Sequence, residues 1–270
     1  MSNLLVEPPI PFVDIHCHML PGIDDGATSW DVSLEMARMA VVGGIGTVIV
    51  TPHQLGMFED NRGQMVRERT AELQRRIQQA DIPLRVMPGA DVRIEPELID
   101  GLRSGDTLSL ADHGRHVLLE LPHEIYFPLE PVLDCLQRIN MIAILSHPER
   151  NQGLLSQPRI TAMLAERGCL MQVTCGSLLG RFGTQSQTMS EWMIRKGLVH
   201  FLATDAHGVK SRRPQMRSAF QRAVKLAGSA IAVEICCRNP AAVADGNDVA
   251  IRSCKQPHAS THSFRRRKSA

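Results

Sequence analysis

Short β-branched, apolar runs alternate along this chain with longer stretches of helical periodicity, and six of the runs lead into a histidine or a carboxylate. The runs cover residues 12–15, 47–50, 84–87, 117–119, 143–145, 170–173 and 200–203. Between them the spacing predicts helices over 31–42, 64–79, 96–102, 131–139, 158–167, 190–196 and 215–226. Alternation of this kind predicts an α/β fold with a parallel sheet under covering helices, either a barrel or a doubly wound sheet. Asp31 or Ser29 supplies the cap of the first helix, and Gly43-Gly44 ends it. With Ile45-Gly46, those glycines follow a helix and precede a strand, the wrong order for a nucleotide loop.

The chemistry sits where the runs stop. Phe12-Val13-Asp14-Ile15 leads directly into His16-Cys17-His18, and residues two apart on a strand share a face, so His16 and His18 can hold one metal. Four other runs deliver His53, Asp91, Glu120 and His147, and a fifth delivers Asp205 and His207. One histidine after a strand is usually a structural hydrogen-bonder. Six strand ends with imidazole or carboxylate, converging on one mouth as in a β/α barrel, instead indicate a metal site. The carboxylates exceed the needs of one metal, so adjacent cations that clamp the oxygens of an in-line displacement are expected. Mixed His and carboxylate ligation suits Mn, Zn or Fe(II). Arg150 follows His147, and Arg212-Arg213 follows His207. Arg150 and Arg213 are the candidate anion binders, because a guanidinium grips phosphate bidentately.

Composition narrows the class. A chain of 270 residues with 43% hydrophobic and 21% charged residues suits one soluble domain. Its formal charge of +2 argues against nucleic acid as a main partner, and the basic run Arg265-Arg266-Arg267-Lys268 reads as a solvated tail. No apolar run is long enough to span a bilayer, and the first residues lack a signal-peptide pattern. Seven cysteines without a C-x-x-C pair suit a reducing compartment, so a cytoplasmic protein without membrane insertion is expected. The domain is expected over 12–240, after an extension at 1–11. A polar tail at 241–270 is expected to be disordered, from roughly 250 onward.

The segment from Asp14-Ile15-His16-Cys17-His18 to Gly22-Ile23-Asp24-Asp25-Gly26-Ala27 resembles the polymerase-and-histidinol-phosphatase (PHP) superfamily. With Val50-Thr51-Pro52-His53, His147-Pro148-Glu149-Arg150 and Ala203-Thr204-Asp205-Ala206-His207, it is similar to the bacterial tyrosine-protein phosphatases of capsular and exopolysaccharide biosynthesis. The resemblance covers roughly residues 12–240 and implies a single-domain, distorted seven-stranded β/α barrel with three divalent metal ions. Manganese is the expected ion, with Fe, Zn or Mg as alternatives. One metal would take His16, His18, Asp91 and Asp205; a second would share Asp91 and add Glu120 and His147. The third would take His53, His207 and one of Asp24 and Asp25, with the choice left open. By the same resemblance, a metal-bridging hydroxide attacks phosphorus while Arg150 and Arg213 hold the remaining oxygens. The implied substrate is a phosphotyrosine protein, a tyrosine kinase of capsule synthesis being the implied partner. Asp91 departs from the pattern, since related enzymes usually carry Glu there, and the shorter side chain implies altered metal spacing.

Other readings compete. Cys175-Gly176-Ser177-Leu178-Leu179-Gly180-Arg181 fits C-x5-R, the phosphate loop of cysteine-dependent tyrosine phosphatases, but Thr174 and Phe182 stand where that loop has His and Ser or Thr. A small-molecule phosphatase acting on histidinol phosphate and a regulatory protein with a weakened metal site are the functional alternatives. An amidohydrolase using a carbamylated lysine is disfavoured, because every lysine lies off a strand end. Cys17 is expected in the core, and His113, His116 and His123 in exposed loops.

Overall fold

The computed structural model describes residues 6–249. Its strands are β1 (Phe12–Cys17), β2 (Ile45–Val50), β3 (His53–Gln54), β4 (Arg85–Pro88), β5 (Asp91–Arg93), β6 (His116–Glu120), β7 (Ile142–Ser146), β8 (Leu170–Thr174) and β9 (Phe201–Ala203). All pair in parallel, in a three-stranded sheet β1-β2-β4 and a six-stranded sheet β3-β5-β6-β7-β8-β9. β3 prolongs β2 past Thr51-Pro52, and β5 prolongs β4 past Gly89-Ala90, so the nine strands follow seven paths. All seven expected strands are therefore present. Proline has no amide to donate to a ladder, which explains the first break.

The last path returns to the first. Cys17 bridges to Ala206. The His18 amide donates to Ala206 O at 2.8 Å, and the Asp205 amide donates to His16 O at 2.8 Å. The Asp14 carboxylate completes the seam, accepting from the Thr204 amide at 2.9 Å and from its hydroxyl. Burial pushes that carboxyl up to about 6, against the hydrogen bonds from Thr204. The sheets thus close into the distorted barrel.

Val13, Ile15, Ile49, Met87, Leu118, Ile144, Leu170, Phe201 and Ala203 fill the barrel interior, while Val117, Leu119, Leu145, Met171 and Val173 pack outward under the helices. This two-residue alternation aims the site. Counting by twos, Ile49 leads to His53, Met87 to Asp91, Leu118 to Glu120, and Ala203 to Asp205. β1 breaks the count with a bulge: Asp14 pairs with Val48 and Cys17 with Val50, three residues against two. The extra residue reverses the faces, turning His16 and His18 inward and Cys17 into the outer core, as expected for Cys17.

Ser29 caps the first helix, Trp30–Val42, and Gly43 ends it. The expected helix at 190–196 starts earlier, at Thr184. At the other end, helix Asn239–Ala244 runs across the expected boundary at 240. Its Val243 and Ala244 pack into the interior cluster, so the short apolar stretch at 241–244 acts as a plug for the barrel floor. The tail expected from roughly 250 onward lies outside the described residues. Among these, no helix is long and apolar enough to cross a membrane.

Candidate metal centre

The strand ends bring the predicted imidazoles and carboxylates into one cluster. His16 Nε2 lies 3.2 Å from His18 Nε2, 3.4 Å from Asp91 Oδ2 and 3.3 Å from Asp205 Oδ1. His18 Nε2 is 3.6 Å from Asp205 Oδ1. Ligand atoms placed tetrahedrally about 2.0–2.2 Å from a cation stand roughly 3.4 Å apart, so these separations suit one first-row metal. His53 Nδ1 is 3.5 Å from both Asp91 Oδ2 and Glu120 Oε2, and His147 Nε2 is 3.6 Å from Glu120 Oε1. Asp91, fully buried, therefore reaches two histidines despite its short side chain.

Asp24 and Asp25 divide their work. Asp24 Oδ2 accepts from His18 Nδ1 at 2.8 Å and from the His53 amide at 3.3 Å, and Oδ1 accepts from the Gly26 amide at 2.9 Å. Asp25 Oδ1 instead faces His53 Nε2 at 3.5 Å and His207 Nε2 at 3.3 Å. His18, Asp25, His53 and His207 form a group of metal-ligating character, as do His16-His18-Asp91, His16-His147-Asp205 and His53-Asp91-Glu120.

Three histidines are held by the nitrogen that faces away from the cluster. Besides the contact to Asp24, His16 Nδ1 contacts Gln172 Oε1 at 2.9 Å, and His207 Nδ1 contacts the Asp205 carbonyl at 3.0 Å. An acceptor on Nδ1 fixes the proton there and leaves Nε2 its lone pair, the arrangement that orients metal-ligating histidines. His147 (φ 32°) and Asp205 (φ 50°) hold left-handed backbone, a strain that collects at functional positions. The loop after β1 is pinned by Gly22 N donating to Ala27 O at 2.9 Å and Ala27 N donating to His18 O at 3.1 Å. At Gly26 a Cβ would lie 2.3 Å from His18 O, so only glycine fits that turn.

The cluster demands positive charge. Burial alone would lower His16, yet the Asp205 and Asp91 carboxylates raise it to about 9. His53 also rises to about 9 against its burial, through Asp25 and Asp91. Glu120 is pushed up to about 7 by burial and by the neighbouring Asp91. Both Asp91 carboxylate oxygens, Asp205 Oδ1 and His53 Nδ1 are buried without a hydrogen-bond donor or acceptor among the described residues. Buried polar atoms are normally partnered, and bound cations would satisfy these.

Two arginines border the cluster. Arg150 Nη1 and Arg212 Nη2 each donate to Asp205 Oδ2 at 2.6 Å, leaving Oδ1 toward His16. The Phe182 ring lies 4.3 Å from the Arg150 guanidinium, and Gly176 makes room for that ring. Arg213, the partner expected for Arg150, turns instead to the Lys210 carbonyl at 3.1 Å. Arg212 takes the place expected for its neighbour Arg213, and Gln172 carried no sequence expectation. Gln172 follows Leu170 by two on β8, so the alternation that aims the other residues would have found it. His123 stands exposed at the rim, 3.3 Å from Arg150 Nη2. His113 is exposed too, but His116, expected in an exposed loop, is buried at the start of β6. Cys175 is buried, and burial pushes its thiol well above the usual range, opposite to a phosphatase nucleophile.

Fold and cluster together define a parallel β/α barrel with metal-ligating side chains gathered at its mouth, the architecture of many barrel hydrolases. The chain belongs to the CpsB/CapC family of capsular polysaccharide synthesis, whose family model matches residues 12–245. It is 40% identical over 219 residues to the tyrosine-protein phosphatase YwqE of Bacillus subtilis, covering 80% of this chain and 85% of that one. A putative tyrosine-protein phosphatase of Staphylococcus aureus, CapC, is 31% identical over 209 residues, covering 77% and 82%. Among solved structures, one from a study of Bacillus subtilis YwqE and Streptococcus pneumoniae CpsB, described as metal-dependent tyrosine phosphatases, superposes with a TM-score of 0.85. Its identity is 36%, covering 89% of this chain and 97% of that one.

Proposed function

We propose that this chain is a metal-dependent protein-tyrosine phosphatase acting in capsular or exopolysaccharide synthesis, in the cytoplasm, on a phosphorylated tyrosine kinase of that process. The observation that carries the reading is the cluster of His16, His18, Asp91 and Asp205 at one barrel mouth, their ligand atoms spaced 3.2–3.6 Å, beside Arg150 and Arg212. The family relationship supports the substrate class.

Three divalent cations, manganese first among them, fit the donor set. The resemblance gives one to His16, His18, Asp91 and Asp205, a second to Asp91, Glu120 and His147, and a third to His53, His207 and, of the aspartate pair, Asp25, which faces both imidazoles. The geometry also groups His53 with Asp91 and Glu120, and His147 with His16 and Asp205. When bound, such cations lower the pKa of water toward neutrality and neutralise phosphoryl oxygens. The chain's own part is orientation. Asp24, Gln172 and the Asp205 carbonyl hold three imidazoles by Nδ1. Arg150 and Arg212, anchored on Asp205, carry further N–H donors suited to phosphate oxygens. A phenol, with a pKa of about 10, departs as phenolate without a strong general acid, unlike a serine alkoxide.

The test is direct. EDTA should abolish hydrolysis of p-nitrophenyl phosphate and of a phosphotyrosine peptide, and Mn2+ should restore both. Full activity in EDTA would sink the metal mechanism, and faster turnover of histidinol phosphate than of the peptide would reject the substrate class.

A further inference from the structure

Next to the metal-ligand cluster lies a cavity of about 360 Å3 between the 175–182 segment and the 210–215 loop. That volume falls within the range of small-ligand pockets, about 300–1,000 Å3. Arg181, Lys210, Arg212 and Arg213 all line it, and no carboxylate does. Among the described residues, none of Arg181, Lys210 and Arg213 forms an ion pair. Arg212 gives Nη2 to Asp205, but its Nε is buried without a partner. Four like charges on one cavity repel each other, an arrangement that a bound anion relieves.

The loop is held by its own hydrogen bonds. His207 N donates to Arg212 O at 2.8 Å, and Arg213 Nε donates to Lys210 O at 3.1 Å. Arg212 holds left-handed backbone at φ 46°, so the turn is fixed against local strain. The cavity also shares walls with the metal centre. Arg212 touches Asp205, and Phe182 carries Arg150 on its ring at 4.3 Å. An anion in the cavity would therefore sit beside the metal centre, with Arg212 standing between the two and with Arg181 and Lys210 on the cavity side alone.

We propose that this cavity is a second anion site, which receives a carboxylate or a second phosphate carried by the same peptide as the phosphotyrosine. The inference rests on the phosphotyrosine reading above. Its test uses the Mn-loaded protein and peptides bearing a non-hydrolysable phosphonate in place of phosphotyrosine, with binding read by fluorescence anisotropy. Flanking positions carry Gln, Glu or a second phosphonate. Charge-assisted hydrogen bonds to one added anion should tighten binding roughly tenfold over the Gln peptide. Whichever of the two anionic peptides gains more identifies the source of the anion.

In the double variant Arg181→Ala, Lys210→Ala the ratio between anionic and Gln peptides should fall below about threefold by the same reasoning. Equal binding of all three peptides by the wild-type protein overturns the site, and needs no variant. A ratio left intact in the double variant overturns it as well. Failure of the underlying reading looks different: the protein then hydrolyses p-nitrophenyl phosphate but no phosphotyrosine peptide, and the second site falls with it.

Discussion

Because Asp24 already accepts from His18 Nδ1, the Gly26 amide and the His53 amide, its oxygens are spent on holding the His18 ring and the loop after β1 in place. Asp25 instead faces the Nε2 atoms of His207 and His53, and these two hold its carboxyl well below the ordinary carboxylate range. Asp25→Asn should therefore lose bound metal, with metal-to-protein stoichiometry by elemental analysis dropping by about one ion and activity falling beyond 100-fold. Asp24→Asn exchanges the carboxylate whose Oδ2 accepts from both His18 Nδ1 and the His53 amide, so it disturbs orientation without removing a proposed ligand. It should keep the stoichiometry at saturating Mn2+ and weaken affinity or activity by about 10–100-fold. Equal metal loss in both variants would erase the distinction. Cys175 gives a second contrast of neighbours in chemistry: its buried thiol stays protonated, so Cys175→Ser should retain most p-nitrophenyl phosphatase activity. A 1,000-fold loss with the fold and metal content intact would restore the cysteine mechanism, since nucleophile removal costs on that order.

At the scale of elements, alternation along the strands decides which residues reach the mouth. The run at 117–119 and the run at 200–203 announce Glu120 and Asp205 in the sequence, because inward residues recur every second position. The same arithmetic fails at β1, where the bulge between Asp14 and Cys17 flips the faces and leaves no mark in composition. Seven strand paths were legible for the same periodic reason, while the plug at 239–244 was not, being short and bordered by polar residues. The Asp24 and Asp25 roles depend on a turn closed by backbone hydrogen bonds, which adjacent identical residues cannot reveal. That turn can be broken by one methyl group. Gly26→Ala places a Cβ against His18 O, so the loop must open and carry Asp25 away from His53 and His207. The variant should lose about 1–3 kcal/mol of stability in urea titration and one metal ion. Unchanged stability together with full metal content would show that the loop accommodates the methyl group freely.

Across the whole molecule, the metal cluster opposes folding unless something neutralises it. Asp91, Asp205, His16, His18 and His147 are all buried, and burying ionisable groups costs free energy when they lack partners. Their ligand atoms come from β1, β5, and the ends of β7 and β9, so no local unit can assemble them before the barrel closes. An unfolded chain therefore offers no comparable site, and cation binding must stabilise the native state by linkage. With free metal at about 1,000 times its dissociation constant, one ion contributes about 4 kcal/mol. For a chain of this size each kcal/mol moves the midpoint by about 2–4 °C, so removal of even one tight ion should lower Tm by roughly 8–16 °C. The comparison is a thermal melt of the protein dialysed against EDTA with the same protein after Mn2+ is restored. His16→Ala should shrink the difference, since His16 Nε2 stands within 3.2–3.4 Å of three other ligand atoms. A wild-type Tm indifferent to EDTA, at matched pH and ionic strength, would mean that the barrel tolerates its uncompensated cluster and that the cations do not share in the fold.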